Sequence, residues 1–202
     1  FRFLCNFVSY IMEKIERVIH MVQIRIDEKL MIRSLTLADA NLVFETTDAN
    51  RIHLKQWLPW VDFTQTVEDS EKFIEQTMKR EAQENGFEAG IFYEDSLVGV
   101  IGLHAINRAN QSTSIGYWLS SAAVGKGIMT KATEAVVKYC FEVLNLNRIE
   151  IKAATENVRS RAIPERLGFI HEGTLRQAEW LYDYYVNHEV YAMLREDFDK
   201  LK

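Results

Sequence analysis

The stretch from residue 112 to residue 168 constrains the fold most, because strand and helix patterns alternate in it. A strand pattern ends in Tyr117-Trp118-Leu119, and the small loop Val124-Gly125-Lys126-Gly127 follows soon after. From Ile128 to Val143, apolar residues recur at the spacing of one helix face. We therefore predict a strand, then a glycine loop, then a helix that begins near Gly127.

A second strand and helix follow directly along the chain. In residues 148–154, Ile149, Ile151 and Ala153 alternate with charged residues, which predicts a strand. Asn157 is of a type that caps helix N-termini, and Gly168 is of a type that ends helices. The segment between them is therefore predicted to be helical.

Apolar patterns predict the rest of the sheet and two earlier helices. Thr36 caps a helix to about Asp48, and Thr66 caps another to about Glu84. The predicted inward residues of the second helix are Val67, Phe73, Ile74, Thr77 and Met78. The remaining predicted strands are Met31–Leu35 as the first, Glu88–Tyr93, Leu97–Ala105 as the nearly all-apolar central strand, Ser112–Leu119, Ile170–Leu181 and Tyr184–Leu194.

The glycine loop is a candidate anion site. The first amide groups of a helix have no partner within it and carry the positive end of its dipole, so they can hold a phosphate. Gly125 and Gly127 would let such a ligand approach the backbone closely. The spacings of the nucleotide P-loop and of the dinucleotide fingerprint are both missing. On the loop alone, an ordinary turn is an equally good interpretation.

The two motifs resemble those of the GCN5-related N-acetyltransferase (GNAT) superfamily. Its acetyl-coenzyme A loop reads [QR]-x-x-G-x-[GA], and its next helix reads N-x-x-[AS] and ends in Leu-Gly-Phe; the counterparts here are residues 124–129 and 157–169. The segments Trp57-Leu58-Pro59-Trp60 and Gln177-Ala178-Glu179-Trp180-Leu181 are similar to those of ribosomal-protein N-terminal acetyltransferases of the RimL and RimJ type. The resemblance covers residues 24–197. It implies an α/β (α+β) fold, with a mixed, mostly antiparallel central sheet and helices on both faces.

The resemblance also implies acetyl-coenzyme A as the cosubstrate, and no metal. In the superfamily, main-chain groups of the fourth strand bind the pantetheine arm in a gap beside that strand, and the loop amides hold the pyrophosphate. The implied cofactor-binding residues are Tyr117, Trp118, Leu119, Gly125, Lys126, Gly127, Ile128, Met129, Thr130, Asn157 and Ser160.

Transfer of an acetyl group to an amine needs a base for the amine proton, donors for the oxyanion and an acid for the thiolate. By the resemblance, Glu179 is the candidate base and Ser160 the candidate acid. Partial burial of Glu179 beside Trp180 would suit it for proton transfer near neutral pH. The alternatives are a surface carboxylate paired with Arg176, and a small serine that packs against the cofactor without proton transfer.

Three residues depart from the superfamily pattern. Val124 stands where Gln or Arg is favoured, and Met129 stands where Gly or Ala is favoured. We expect main-chain cradling of phosphate to survive both changes. Pro164 stands where many members carry a tyrosine that protonates the leaving thiolate. Because Pro164 has no amide to donate to the carbonyl of Ser160, we expect the helix to loosen there and to leave local groups free for the ligand.

Length and composition fit one enzyme domain, and the resemblance implies that residues 21–202 are a single GNAT acetyltransferase domain. The chain has 202 residues, of which 48% are hydrophobic, and a net charge of -5. An acidic balance argues against a nucleic-acid-binding surface; it suits a basic acceptor or simply keeps the protein in solution. No apolar run reaches the length of about 18 residues that a membrane span needs, so we expect a cytoplasmic enzyme.

Other residues point to specific chemistry less strongly. Cys5 and Cys140 do not form a disulfide or metal framework. The histidines His53, His104, His171 and His188 lack metal-ligand spacing and are interpreted as solvated or hydrogen-bonded. The candidate aromatic residues for an acceptor cleft, with packing in the core or in a homo-oligomer as the alternative, are Trp57, Trp60, Trp180, Tyr182, Tyr184 and Tyr185.

Three functional classes fit these motifs. The first is an enzyme that acetylates the N-terminal α-amine of a ribosomal or similar protein, because the acceptor-side motifs match as well as the cofactor motifs. The second is an acetyltransferase for a small amine, such as a polyamine or an aminoglycoside. The third is a non-catalytic acyl-coenzyme A-binding module, which the altered Val124 and Met129 leave open.

Residues 1–20 are interpreted as an extension that the native protein lacks. They do not have the pattern of a secretory signal, and Met21 after them is a natural start. The codons GAA-AGG-GTN for Glu16-Arg17-Val18 would contain a bacterial ribosome-binding sequence, so we interpret the stretch as upstream message read in frame. The alternative is an amphipathic helix with the stripe Ile11, Ile15, Val18 and Ile19.

Overall fold

The computed structural model describes residues 21–201, and the interpretations of residues 1–20 lie outside this range. The strands in it are β1 (Gln23–Arg25), β2 (Leu30–Ser34), β3 (Phe87–Tyr93), β4 (Ser96–Leu103), β5 (Ser112–Leu119), β6 (Arg148–Ala154), β7 (Ile170–Leu181) and β8 (Tyr184–Leu194). They form one sheet in the order β1-β2-β3-β4-β5-β6-β8-β7. Every neighbouring pair is antiparallel except β5 and β6, which are parallel.

The helices begin where the sequence supplies caps. Thr36 and Thr66 each form a capping box with the aspartate three residues later. Short 3-10 turns occur at Leu37–Asp39, Pro59–Phe63 and Ser121–Ala123. The α-helices are α1 (Ala40–Asp48), α2 (Arg51–Leu54), α3 (Val67–Ala82), α4 (Ile128–Glu142), α5 (Val158–Arg166) and α6 (Arg195–Lys200).

Helices cover both faces of the sheet, as the resemblance implied. On the central strand β4, Val100 packs on one face in a cluster with Ile74 of α3. The next residue, Ile101, packs on the other face in a cluster with Val136 of α4. Because both faces of β4 are buried, apolar residues occupy nearly all of it. The predicted central position of this strand is confirmed.

Several local predictions are wrong in detail. The strand predicted as the first is β2, because the short β1 precedes it with too few residues to show a pattern. The one-turn helix α2 was not predicted. Met78 was predicted to face inward but is 40% exposed, and Val143, the last residue of the apolar pattern that begins at Ile128, is 64% exposed. Within residues 21–201, no helix combines the length and apolar character needed to cross a membrane.

Candidate functional site

A gap opens in the sheet between β5 and β6. Their parallel pairing runs from Ser112 and Arg148 to Ile115 and Ile151 and ends there, although both strands continue. On its other edge, β5 stays paired with β4 as far as Leu119. On the edge that faces β6, the main chain from residue 116 to residue 119 therefore has no strand partner. This segment lines a cleft of about 1930 Å³.

The glycine loop lies at the cleft and ends in a helix start, as predicted. Gly125 has φ +83°, and Gly127, the N-cap of α4, has φ +75°. These left-handed conformations favour glycine. A Cβ built at either glycine would meet no other atom within 4 Å, so the space beside both is open. Unpaired amides at a helix start beside open space suit the pyrophosphate of a coenzyme A.

All the predicted loop residues except Lys126 line the cleft. Gly125, Gly127 and Thr130 line it, together with Ile128 and Met129. The side chain of Lys126 is exposed and is not part of this lining. The predicted contact of its main-chain amide with the cofactor stays a prediction.

Asn157 and Ser160 line the opposite side of the gap at the start of α5. The Asn157 side-chain oxygen accepts a hydrogen bond from the Ser160 amide at 3.1 Å, which confirms the predicted cap. The Ser160 hydroxyl lies 3.5 Å from the hydroxyl of Tyr117 on β5. Burial raises the pKa of the Tyr117 phenol to about 12, so this side chain stays neutral at physiological pH.

The expected loosening of the helix at Pro164 does not occur. The α5 helix runs through Pro164 to Arg166 without a break. The Tyr117 hydroxyl donates a hydrogen bond to the Ser160 carbonyl at 3.1 Å. In a regular helix, this carbonyl would accept a hydrogen bond from the amide of residue 164, which proline lacks. The Tyr117 side chain therefore occupies an acceptor that we expected to be free for the ligand.

A bulge in β7 brings Glu179 to the cleft. Leu175 is paired with His188 and Glu179 with Val186, so residues 176–178 stand opposite Asn187 alone. The Gln177 amide donates to the Asn187 side chain at 2.7 Å, which stabilises the bulge. Such bulges re-aim side chains. Here the Glu179 carboxylate, with 34% of the side chain exposed, lies 3.3 Å from His188 Nε2 at the cleft wall.

Aromatic residues from the first half of the chain form another wall. The predicted segment Trp57-Leu58-Pro59-Trp60 lines the cleft, and the rings of Trp60 and Trp118 lie 6.1 Å apart. The Tyr182 hydroxyl donates to the Leu58 carbonyl at 2.7 Å and so ties this segment to the tip of the β7–β8 hairpin. The other candidate aromatics, Trp180, Tyr182, Tyr184 and Tyr185, do not line the cleft.

The sequence analysis missed a polar wall on the β3–β5 side of the cleft. Glu88 lies over Gly102, where a Cβ would overlap its carboxylate, and Arg80 approaches it at 3.3 Å. Burial raises the pKa of Glu88 to about 7. His104 lies over Gly116 in the same way. The sequence did contain one signal for this polar wall, because Glu88 is a charged residue within an apolar strand pattern.

Two of the histidines, His104 and His171, lie within hydrogen-bonding distance of a polar side chain. His104 Nδ1 lies 3.0 Å from the Ser114 hydroxyl, and burial lowers the pKa of His104. His171 Nε2 lies 2.6 Å from the buried Glu189 carboxylate. Among residues 21–201, no group of three His, Cys, Asp or Glu side chains is arranged to hold a metal ion.

Comparisons with known proteins agree with this geometry. The family model described as an acetyltransferase (GNAT) domain matches residues 29–170. YdaF of Bacillus subtilis is 36% identical over 178 residues, which are 87% of this chain and 96% of YdaF. The ribosomal-protein-serine acetyltransferase of Escherichia coli is 32% identical over 171 residues, 85% of this chain and 96% of that enzyme.

A solved structure with the same fold contains the cofactor. It is RimL, a ribosomal L7/L12 α-N-protein acetyltransferase, in complex with coenzyme A. The TM-score is 0.83 at 25% identity, and the match covers 86% of this chain and 98% of that one.

Proposed function

The chain belongs to the GNAT family of acetyl-coenzyme A-dependent N-acetyltransferases, and from this premise we propose that its acceptor is the N-terminal α-amine of a protein, a ribosomal protein in particular. The sequence similarity to a ribosomal-protein-serine acetyltransferase supports this acceptor. So does acid–base chemistry: the reference pKa of an α-amine is about 7.7–8.0, against about 10.4 for lysine. More of the α-amine is neutral at physiological pH, so a weaker base suffices.

We assign cofactor binding to both sides of the gap in the sheet. The amides from Gly125 to Thr130 hold the pyrophosphate at the start of α4, and the helix dipole favours its negative charge. Main-chain groups of residues 117–119 bind the pantetheine arm and polarise the thioester carbonyl. The Asn157 carboxamide reaches the same arm from α5, while its oxygen caps that helix.

We assign proton transfer to Glu179 and Ser160. Glu179 accepts the proton of the acceptor amine as the amine attacks the thioester carbonyl, and His188 holds the carboxylate in place. Ser160 donates a proton to the departing thiolate. The observation that carries this proposal is the β7 bulge, which presents Glu179 to the same cleft that contains the loop and Ser160.

The acceptor is tested by incubating the protein with ribosomes and labelled acetyl-coenzyme A, followed by mass spectrometry. We expect label on the N-terminal α-amine of a ribosomal protein, and little label with the Glu179→Gln variant. Label confined to internal lysines or to added spermidine would eliminate the proposed acceptor.

A small polyamine is the second candidate acceptor. Carboxylates line the cleft, among them Glu88 beside β4 and Glu179 on β7, and carboxylates suit a polycation. The incubation with ribosomes and labelled acetyl-coenzyme A, repeated with spermidine present, distinguishes the two acceptors, because both compete for one cleft and the preferred acceptor carries the label.

A further inference from the structure

Helix α5 lacks one of its regular hydrogen bonds. In an α-helix, each amide donates to the carbonyl four residues earlier. Pro164 has no amide, so the Ser160 carbonyl receives no bond from that position. The helix nevertheless continues to Arg166, and Pro164 is buried within it. Some other donor is therefore needed at the turn that carries Ser160.

The Tyr117 side chain supplies this donor from another element. Its hydroxyl donates to the Ser160 carbonyl at 3.1 Å, across the gap between β5 and α5. The same hydroxyl lies 3.5 Å from Ser160 Oγ, so the Tyr117 phenol is close to both the carbonyl oxygen and the hydroxyl of Ser160. The raised pKa of Tyr117 keeps this group protonated, and therefore a donor, throughout the physiological pH range.

We infer that Tyr117 is a positioning residue for Ser160, because its hydroxyl replaces the amide donor that Pro164 removes from α5. The main chain of Tyr117 belongs to the strand that faces the thioester, and its side chain holds the helix that carries the proposed proton donor. The phenol thus fixes the distance between the two sides of the gap. This inference rests on the role proposed above for Ser160.

The pairing of Tyr117 with Pro164 allows a rescue experiment. Tyr117→Phe removes the donor, and we expect kcat to fall roughly 2- to 10-fold, the range typical of one lost hydrogen bond. The KM for acetyl-coenzyme A should change less. Pro164→Ala restores an amide at position 164 and should alone leave kcat within about twofold, because a carbonyl accepts two hydrogen bonds. The double variant should recover the rate.

Recovery in the double variant separates positioning from direct catalysis. If the Tyr117 phenol itself protonated the thiolate, a new amide in α5 would not replace it, and the double variant would stay as slow as Tyr117→Phe. That result overturns the inference. Tyr139→Phe, which removes the hydroxyl of a half-buried tyrosine outside the cleft, is the matched control and should leave kcat unchanged.

Amide hydrogen exchange tests the same contact without acetyl transfer. We expect faster exchange in residues 158–166 of Tyr117→Phe, and a return toward the slow rate when Pro164→Ala is added. Equal exchange in the parent and in Tyr117→Phe would overturn the inference. A parent protein that acetylates no amine, but shows this exchange pattern, would contradict the proposed function and leave the positioning contact established.

Discussion

Glu88 should make the stability of the protein depend on pH in a way that one substitution removes. Its side chain is 14% exposed and lies over Gly102, with Arg80 Nη2 at 3.3 Å. Loss of water around the carboxylate raises its pKa from 4.5 to about 7, although Arg80 opposes this change. Glu88→Gln keeps the shape of the side chain and removes the titration.

The sign and the size follow from the raised pKa. The folded protein binds the Glu88 proton more tightly than the unfolded chain does, so the stabilisation is fully present below pH 4.5 and is lost as pH rises through about 7. At about 1.4 kcal/mol for each pH unit between 4.5 and about 7, the full loss is about 3.5 kcal/mol.

Urea unfolding of the parent and of Glu88→Gln at several pH values between 5 and 8.5 measures this effect. We expect the free energy of unfolding of the parent to fall by about 2.5 kcal/mol relative to the variant across this range, because the rest of the loss lies below pH 5. Glu75→Gln, at an exposed position of α3, is the control for loss of one surface carboxylate. A parent-to-variant difference that stays constant with pH would refute the reasoning, because a constant offset reflects only the changed contact with Arg80.

Three further substitutions test the assigned site. Gly127→Val places bulk in the open space beside the loop and should weaken acetyl-coenzyme A binding, measured by calorimetry, by at least tenfold. The control Gly173→Val, at another positive-φ glycine outside the cleft, should not weaken binding. Equal affinity of the parent and Gly127→Val for the cofactor would contradict the phosphate assignment. Glu179→Gln should lower turnover by about 10²–10⁴ with cofactor affinity kept, and Ser160→Ala should lower it less. Glu172→Gln on the same strand is the control, and an unchanged rate in Glu179→Gln would assign the base to another group.

The predictable parts of the site depend on short stretches of chain. The helix start after Gly127 and the cap at Asn157 arise from residues within one turn, so local pattern was sufficient. The bulge that presents Glu179 depends on pairing with the next strand and on the Asn187 side chain, and no local pattern encodes this pairing. The contact from Tyr117 to α5 joins residues 43 positions apart, so the sequence showed the missing amide but not its replacement.

The two loop departures, Val124 and Met129, leave the main-chain amides of the loop in place. Met129 is 6% exposed and packs in the core beneath α4, so its side chain does not cover the helix start. Val124 removes a side-chain donor, but the backbone after it still reaches left-handed conformations at Gly125 and Gly127. The groups that bind phosphate at a helix start are main-chain amides, which neither substitution alters. The departures that left a non-catalytic module open are therefore compatible with an acetyl-coenzyme A-dependent enzyme, the class to which family membership assigns the chain.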